Sequence, residues 1–337
     1  PCCCQGKTRL MKRVAVVGAG AAGLAAARTL AAAGVFVVVF ERSKGFGGRI
    51  ATRRVGPYTF DTGATSIAPR GLSIESVMLR ELDHSDLVRV EKPIFVHQGL
   101  RVGTGDPAMN LMPRYAYRSG NTRLAKLLAA GLDVRLEHPV DEIARTANGY
   151  RVLAEDFDGI VLTPPIPQSN QLLWTIGETR STANSSYRSC LSVLLGFDRP
   201  LPPQRYHALL DPEQHHPLVW LDIETEKCPG RAPEGHTAFV AQLNSPYSQT
   251  HWDDEDDELV SLVCSYLVRL YGAEFSSPSM FSVKRWKYSQ PETIASFEAV
   301  NHPGATVVIA SDGLLGGRVE QAFECGVRAA RLLLDQP

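Results

Sequence analysis

With 337 residues, 44% of them hydrophobic and 21% charged, the chain carries enough apolar material for one large or two medium domains. Its 35 basic and 36 acidic residues leave a formal charge of −1, so no basic surplus points to nucleic acid or to an anionic membrane surface. No apolar run reaches the roughly 18 residues of a spanning helix, so no membrane partner is expected.

In chain order, residues 1–10 come first. The cluster Cys2-Cys3-Cys4 has polar flanks, no apolar core and no nearby His or Cys partner. This stretch is expected to be a flexible extension, neither signal peptide nor metal site, with Met11-Lys12-Arg13 as a natural start. Val14 to Val17 then predicts a buried strand, and Gly18-Ala19-Gly20-Ala21-Ala22-Gly23 a tight turn opening a helix. Gly18 lets the chain turn sharply, Gly20 lets backbone approach a pyrophosphate, and Gly23 lets the helix pack close. Leu24 to Ala33 is rich in strong helix formers and Gly34 stops it. Val35 to Phe40 reads as a parallel strand buried on both faces, ending at Glu41, placed to accept hydrogen bonds from ribose hydroxyls. A lone GxGxxG arises by chance in Ala/Gly-rich helices, and Glu41 alone could be a solvated strand end. The full order of strand, glycines, helix, strand and acid is what an ADP moiety requires. Gly47-Gly48-Arg49 argues for FAD over NAD.

Ile50 to Val55 and Tyr58 to Asp61 predict a hairpin around Gly56-Pro57. It leads into Asp61-Thr62-Gly63-Ala64, where Gly63 would let a ligand approach the backbone. Residues 67–112 are irregular, with a helix from Ser73 to Leu82 and short strands at Val88–Val90 and Ile94–Val96. Thr122 to Ala130 reads as a helix closed by Gly131, and Asp133 to Leu136 as a strand. Val140 to Thr146 and Tyr150 to Ala154 alternate around Asn148-Gly149, a hairpin signal. Phe157 to Leu162 is a buried strand ended by Thr163-Pro164-Pro165. Residues 166–285 predict mainly antiparallel sheet (Leu191–Phe197, Leu218–Ile223, Thr237–Leu243) and a helix over 256–271. The acid run Asp253 to Glu258 suits that helix's positive end better than a metal site. The chain closes with a strand at Thr306–Ala310, the loop Ser311-Asp312-Gly313 and a helix from Arg318 to Leu334.

The expected fold is α/β: a two-domain FAD-dependent oxidoreductase with a Rossmann-like (GxGxxG) FAD domain and an interleaved mixed-sheet substrate domain. Residues 11–66, 113–165 and 286–337 are assigned to the FAD domain; 67–112 and 166–285 are assigned to the substrate domain.

Val16 to Arg49, including the spacing to Gly47-Gly48-Arg49, is similar to the FAD fingerprint of the flavin amine oxidase superfamily. Other segments resemble renalase-type proteins: Gly120 to Ala125, Leu191 to Leu201, Trp220 with Lys227 and Pro229-Gly230-Arg231, Arg285 to Pro291, and Gly317 to Glu320. The resemblance covers nearly all of Met11 to Leu334 and implies non-covalent FAD. It implies that Gly18, Gly20, Ala22 and Gly23, with Ala21 beside them, line the pyrophosphate and that Glu41, followed by Arg42, holds the adenosine ribose. Val140 would lie at the adenine, and Asp312 would reach the phosphates or ribityl chain. Gly48 and Arg49 lie towards the flavin in this reading, with Gly63 and Ala64 also at the cofactor. Arg318, Val319 and Glu320 would sit beside the isoalloxazine, where the Val319 amide at a helix start can stabilise negative charge on reduced flavin. Two departures put the substrate in question. Ala64-Thr65-Ser66 stands where renalases usually carry Gln and an aromatic, and Ser311-Asp312-Gly313-Leu314 departs from the superfamily's Gly-Asp pattern.

Hydride transfer to a flavin from a carbon beside nitrogen requires positioning and exclusion of water, and no general base. That agrees with the lack of a Ser/His/Asp signature and of metal-ligand spacing among the nine histidines. His215-His216, beside Pro217, reads as a surface turn. Alternation sends Lys284, Trp286 and Tyr288 to one strand face and Arg285 with Lys287 to the other. The first three are the candidate substrate roof; the plainer alternative is a half-buried strand with a basic solvated face. Trp220 and Tyr187 are weaker candidates. Cys190 opens a predicted strand and is not expected to anchor flavin, and the scattered Cys190, Cys228, Cys264 and Cys325 read as reduced thiols. The expectation is a cytoplasmic FAD-dependent oxidase of the amine oxidase or renalase type. Its donor would be an amine or a dihydronicotinamide-like compound related to NAD(P)H, with oxygen as acceptor. Alternatives are a flavin desaturase or isomerase, or a non-catalytic flavin-holding redox sensor.

Overall fold

The computed structural model describes residues 11–182 and 185–335, so the expected extension at 1–10, with its three cysteines, lies outside them. The chain divides into two compact units. One draws on Pro1–Gly48, Ala125–Ser186 and Pro291–Pro337, the other on Arg49–Leu124 and Tyr187–Gln290.

The first unit is built on a five-stranded parallel sheet. Its order is Val307–Ile309, Gly159–Leu162, Arg13–Val17, Phe36–Phe40, Asp133–Arg135. Its central strands are β-branched and buried, as a sheet covered on both faces requires. The helix Ala21–Ala32 packs on the last helix, Val319–Leu334, so closely that a Cβ on Gly326 would run into the Ala22 carbonyl. A three-stranded meander joins Ile143–Thr146, Gly149–Val152 and Glu155–Phe157, with the hairpin expected around Asn148-Gly149. Its first strand begins at Ile143, leaving Val140 in the preceding loop. The helix Ile166–Thr175 belongs here rather than to the substrate side: Ile143 N–H donates to Thr175 Oγ1 (3.0 Å) and Thr175 Oγ1 donates to Ile143 O (3.0 Å).

The second unit holds a seven-stranded mixed sheet. Its order is Met280–Pro291, Tyr187–Phe197, Thr237–Leu243, Leu218–Ile223, Ala208–Leu210, Ile94–Gln98, Arg101–Gly103. Tyr187–Phe197, Thr237–Leu243, Leu218–Ile223 and Ala208–Leu210 pair antiparallel in turn, and Ala208–Leu210 pairs parallel with Ile94–Gln98. One face is apolar at its centre. Leu191, Val193, Leu195, Phe239 and Leu221 pack there against Leu259, Val263 and Leu267 of the helix Asp256–Tyr271. The other face changes character along its length. Leu194, Ala238 and Val240 lie under Tyr58 and Phe60. One step along the strands, Ser192, Gln242 and Trp220 stand side by side in register.

The expected boundaries shift accordingly. The hairpin Thr52–Val55/Tyr58–Asp61 falls in the second unit because Tyr58 and Phe60 are buried on its sheet. Residues 113–124 fall there too, since Tyr115–Tyr117 pairs with Leu87–Arg89. So do residues 286–290, as part of the sheet strand. The helix expected over 73–82 is an α-turn, Leu72–Ser76, followed by a π-turn, Val77–Glu81. Arg285 is no solvated cation: it pairs with Asp256 (2.7 Å) and donates to the carbonyls of Trp252 and Asp254. Asp256, Asp257 and Glu258 form the acidic first turn of their helix, as expected. Among the described residues no helix is long and apolar enough to cross a membrane.

Candidate cofactor site

In the first unit the strand Arg13–Val17 ends at Gly18, whose φ of +106° favours glycine. Gly18 N–H donates to Phe40 O (2.8 Å), and a Cβ here would collide with Thr163 Oγ1. That hydroxyl donates to Val17 O (2.7 Å) and so pins the turn to the neighbouring strand. At Gly23 a Cβ would run into the Gly18 carbonyl, so the helix packs directly on the turn. Gly20 differs. Its backbone is extended (φ −84°, ψ −176°), and a Cβ would meet nothing nearer than Gly47 O at 3.9 Å. The protein itself leaves space at Gly20.

No side chain caps the helix Ala21–Ala32, and no acid lies in its first turn. Its leading N–H groups and the positive end of its dipole thus remain available to an anion. Gly47 N–H donates to Ala19 O (2.9 Å), joining the second glycine pair to the first turn. Glu41 is buried; its carboxylate accepts from Ala19 N–H and Ser43 N–H, both at 2.8 Å. Each oxygen keeps a further lone pair for a hydroxyl. His138 N–H donates to Glu41 O (2.9 Å), which brings the chain leading to half-buried Val140 alongside. Arg42 is exposed. The open cradle, the uncapped helix and the buried carboxylate together fit the ADP half of FAD.

Asp312 begins a short 3-10 turn, Asp312–Leu314, and is buried; Ser311 Oγ donates to its carboxylate (3.1 Å). Arg318 is the N-cap of the last helix, its N–H donating to Gln321 Oε1 (3.1 Å), and Val319 and Glu320 open the helix in buried positions.

In the second unit Arg49 Nη1 lies 3.4 Å from the carbonyls of Tyr288 and Ser289, with its guanidinium 6.0 Å from the Tyr187 ring. Tyr187 meets Tyr288 edge-on at 5.7 Å. Trp286 Nε1 donates to Thr62 O (2.9 Å), and Lys284 Nζ stands 4.8 Å from the Trp286 ring centroid, on the shared face that alternation predicts. Burial presses the Lys284 ammonium below its ordinary value, with Arg53 adding to the effect. At Gly63 a Cβ would run into the Arg49 carbonyl, so the missing side chain serves the protein's own packing. Trp220 is half-buried, and its Nε1 meets no acceptor among the described residues. Cys190 is buried, its thiol pushed up to about 11 by desolvation. His216 is more than a turn residue: its ring lies 4.4 Å from that of Tyr266, tilted by 59°, and meets His97 edge-on at 5.3 Å.

Sequence reasoning missed Thr163, which braces the glycine turn. It also missed Gln242, whose Nε2 donates to Gly63 O (2.7 Å), and the role of Asn121, whose Nδ2 donates to Ala64 O (3.0 Å). A lone amide inside the apolar strand Thr237–Leu243 was the available signal for Gln242.

Comparison with known proteins agrees with this geometry. Residues 16–80 match the NAD(P)-binding Rossmann-like domain, and residues 94–334 match the flavin containing amine oxidoreductase family. A 4,4'-diapophytoene desaturase of Staphylococcus haemolyticus is 48% identical over 54 residues, which is 16% of this chain and 11% of that protein. A zeta-carotene-forming phytoene desaturase of Myxococcus xanthus is 38% identical over 89 residues, 26% of this chain and 17% of that protein. The chain thus matches only a small part of these relatives' length. Among solved structures, cyclohexylamine oxidase from Brevibacterium oxydans IH-35A superposes with a TM-score of 0.76 at 15% identity, over 96% of this chain and 99% of that one. Putrescine oxidase bound to putrescine gives 0.72 at 14% identity, over 95% and 98%. These two likenesses show the fold. The family match spans most of the sequence, and the chain therefore belongs to the flavin containing amine oxidoreductases, a family of FAD-dependent oxidoreductases.

Proposed function

We propose that this chain is a renalase-type FAD-dependent oxidase that takes a hydride from a carbon beside nitrogen in a small polar donor, an amine or a dihydronicotinamide-like compound, with oxygen as final acceptor. The observation that carries this reading is the polar strip on the second-unit sheet, where Ser192, Gln242 and Trp220 share one register step. An apolar polyene would leave the Trp220 Nε1–H, which meets no acceptor among the described residues, without a partner, a costly arrangement. A donor bearing nitrogen or oxygen can satisfy it. The desaturase reading draws on identity confined to 54- and 89-residue stretches and lacks such support on the sheet.

FAD, when bound, supplies the hydride acceptor and the route to oxygen. The chain's residues supply grip and orientation. The helix start after Gly20 holds the pyrophosphate and Glu41 the ribose. Val140 packs at the adenine, Asp312 meets the phosphates or ribityl chain, and the Val319 amide stabilises negative charge at the ring. Lys284 and Trp286 form the roof over the donor. The four buried free cysteines suit a reducing, cytoplasmic setting.

Anaerobic titration of the yellow holoprotein tests the reading. Amines, dihydronicotinamides and an apolar polyene would be added in turn while the visible flavin band is followed. Bleaching by an amine or a dihydronicotinamide is expected. Bleaching by the polyene alone would establish the desaturase reading, and resistance to every donor would favour a redox sensor.

A further inference from the structure

The first unit carries a second opening, away from its glycine turn. A groove of about 530 Å³ is lined by the meander, by the segment that follows the helix Ile166–Thr175 and by the loop that enters the strand Val307–Ile309. That volume falls within the range of small-molecule pockets, roughly 300–1,000 Å³. Thr306, in its wall, precedes the first residue of Val307–Ile309, whereas Gly18 follows the last residue of the parallel strand Arg13–Val17. The groove therefore sits at the opposite end of the sheet from the glycine turn.

Two guanidiniums share one carboxylate there. Glu178 accepts from Arg145 Nη2 at Oε1 (2.5 Å) and from Arg180 Nη2 at Oε2. The Arg180 side chain is only 7% exposed and is fixed further, its Nη1 donating to Val300 O (2.9 Å) and its Nη2 to Val307 O (3.2 Å). Arg145 is held too. Its Nε donates to Ile176 O (3.2 Å), its Nη2 to Glu178, and its guanidinium lies 5.6 Å from the Tyr150 ring centroid. Its Nη1 has no partner among the described residues, and neither have His302 Nε2 nor the hydroxyls of Thr179 and Ser181, which line the same groove. The Tyr150 and Thr306 hydroxyls satisfy each other (2.7 Å). Two arginines against one glutamate leave the lining with a cationic surplus, and its one carboxylate is already saturated. Donors to spare match a ligand rich in acceptors, and a pinned guanidinium edge matches an oxyanion.

We propose that this groove is a second ligand site, which takes a small molecule through a phosphate or carboxylate group set against Arg145 Nη1. Arg180 acts through Glu178, holding the Arg145 guanidinium in place.

Modification of arginines by phenylglyoxal, read by mass spectrometry of the digested protein, tests this. Holoprotein is used so that the anion cannot report on the glycine turn. Arg151 is the internal control: it lies on the same meander, its side chain is 55% exposed against 54% for Arg145, and its guanidinium is engaged by Asp156 (2.8 and 3.1 Å). Inorganic phosphate and citrate are offered separately. Slower modification of Arg145, with Arg151 unchanged, is expected from at least one of them. Protection by phosphate alone marks a phosphorylated ligand, by citrate alone a carboxylated one, and by both a site for the oxyanion itself. In calorimetric titration the protecting anion should bind Arg145→Leu about 10- to 100-fold more weakly than wild type, as the loss of a charge-assisted hydrogen bond requires. Equal protection of Arg145 and Arg151, protection of neither, or wild-type affinity in Arg145→Leu would overturn the proposal. The protection experiment uses the wild-type chain and so decides the matter even if the variant does not fold.

Discussion

Gly20→Ala separates what the protein needs from what its cofactor needs. The backbone at Gly20 lies in a region open to any L-residue, and the nearest atom to an added Cβ is Gly47 O at 3.9 Å, an ordinary contact. Flavin-free protein should therefore keep its stability or gain about 0.4–1 kcal/mol from the stiffer unfolded chain. If the pyrophosphate packs on this backbone, the methyl group must displace it, at a cost of roughly 1–3 kcal/mol for overpacking. That corresponds to FAD binding weakened about 5- to 150-fold. Gly23→Ala is the contrast: its Cβ would run into the Gly18 carbonyl, so it should destabilise the protein with or without flavin. Thermal denaturation of flavin-free protein and fluorescence titration with FAD measure the two effects. Wild-type FAD affinity in Gly20→Ala, or a stability loss matching that of Gly23→Ala, would refute the reasoning.

Glu41→Ala removes the acceptor for Ala19 N–H as well as the proposed ribose anchor, so FAD retention should fall by about 1.5–3 kcal/mol; unchanged flavin content after gel filtration would show the assignment wrong. Proton linkage offers another check. Burial pushes the Glu224 carboxyl up to about 7, against the pull of Lys227 and Arg231. Because this lies above its ordinary 4.5, its contribution to folding is complete below that value and is lost as pH rises through about 7. Asp61 and Asp222 act in the opposite sense: despite burial, Arg231 and Lys227 hold Asp61 low, and Lys227 and His207 hold Asp222 low, so their contributions are lost on acidification. Relative to Glu224→Gln, wild type should lose up to roughly 3 kcal/mol between about pH 5 and 8. Urea denaturation across that range measures it, and a constant difference would contradict the linkage.

The glycine turn and its flanking strands and helix were legible because each step is local. A β-branched run, a glycine at positive φ, an Ala/Leu run and a terminal acid declare themselves within a few residues. The helix Asp256–Tyr271, announced by its acidic start, was legible for the same reason. The domain boundary was not. Whether Tyr58 and Phe60 serve one unit or the other depends on burial against Leu194 and Val240, far along the chain. The ion cluster was hidden likewise: Asp61 and Glu224 meet across 163 residues, and neither sits in a recognisable motif. Gly63 was visible as special, but the atom that demands a glycine there, the Arg49 carbonyl, appears only in three dimensions.

The seam between Ala22 and Gly326 bears on how the protein matures. The helix Ala21–Ala32 precedes its packing partner Val319–Leu334 by most of the described chain, with the whole second unit threaded in between. During synthesis the glycine turn therefore waits for a distant stretch of chain before it is braced, and a variant cut short before Val319 should leave that turn without its support.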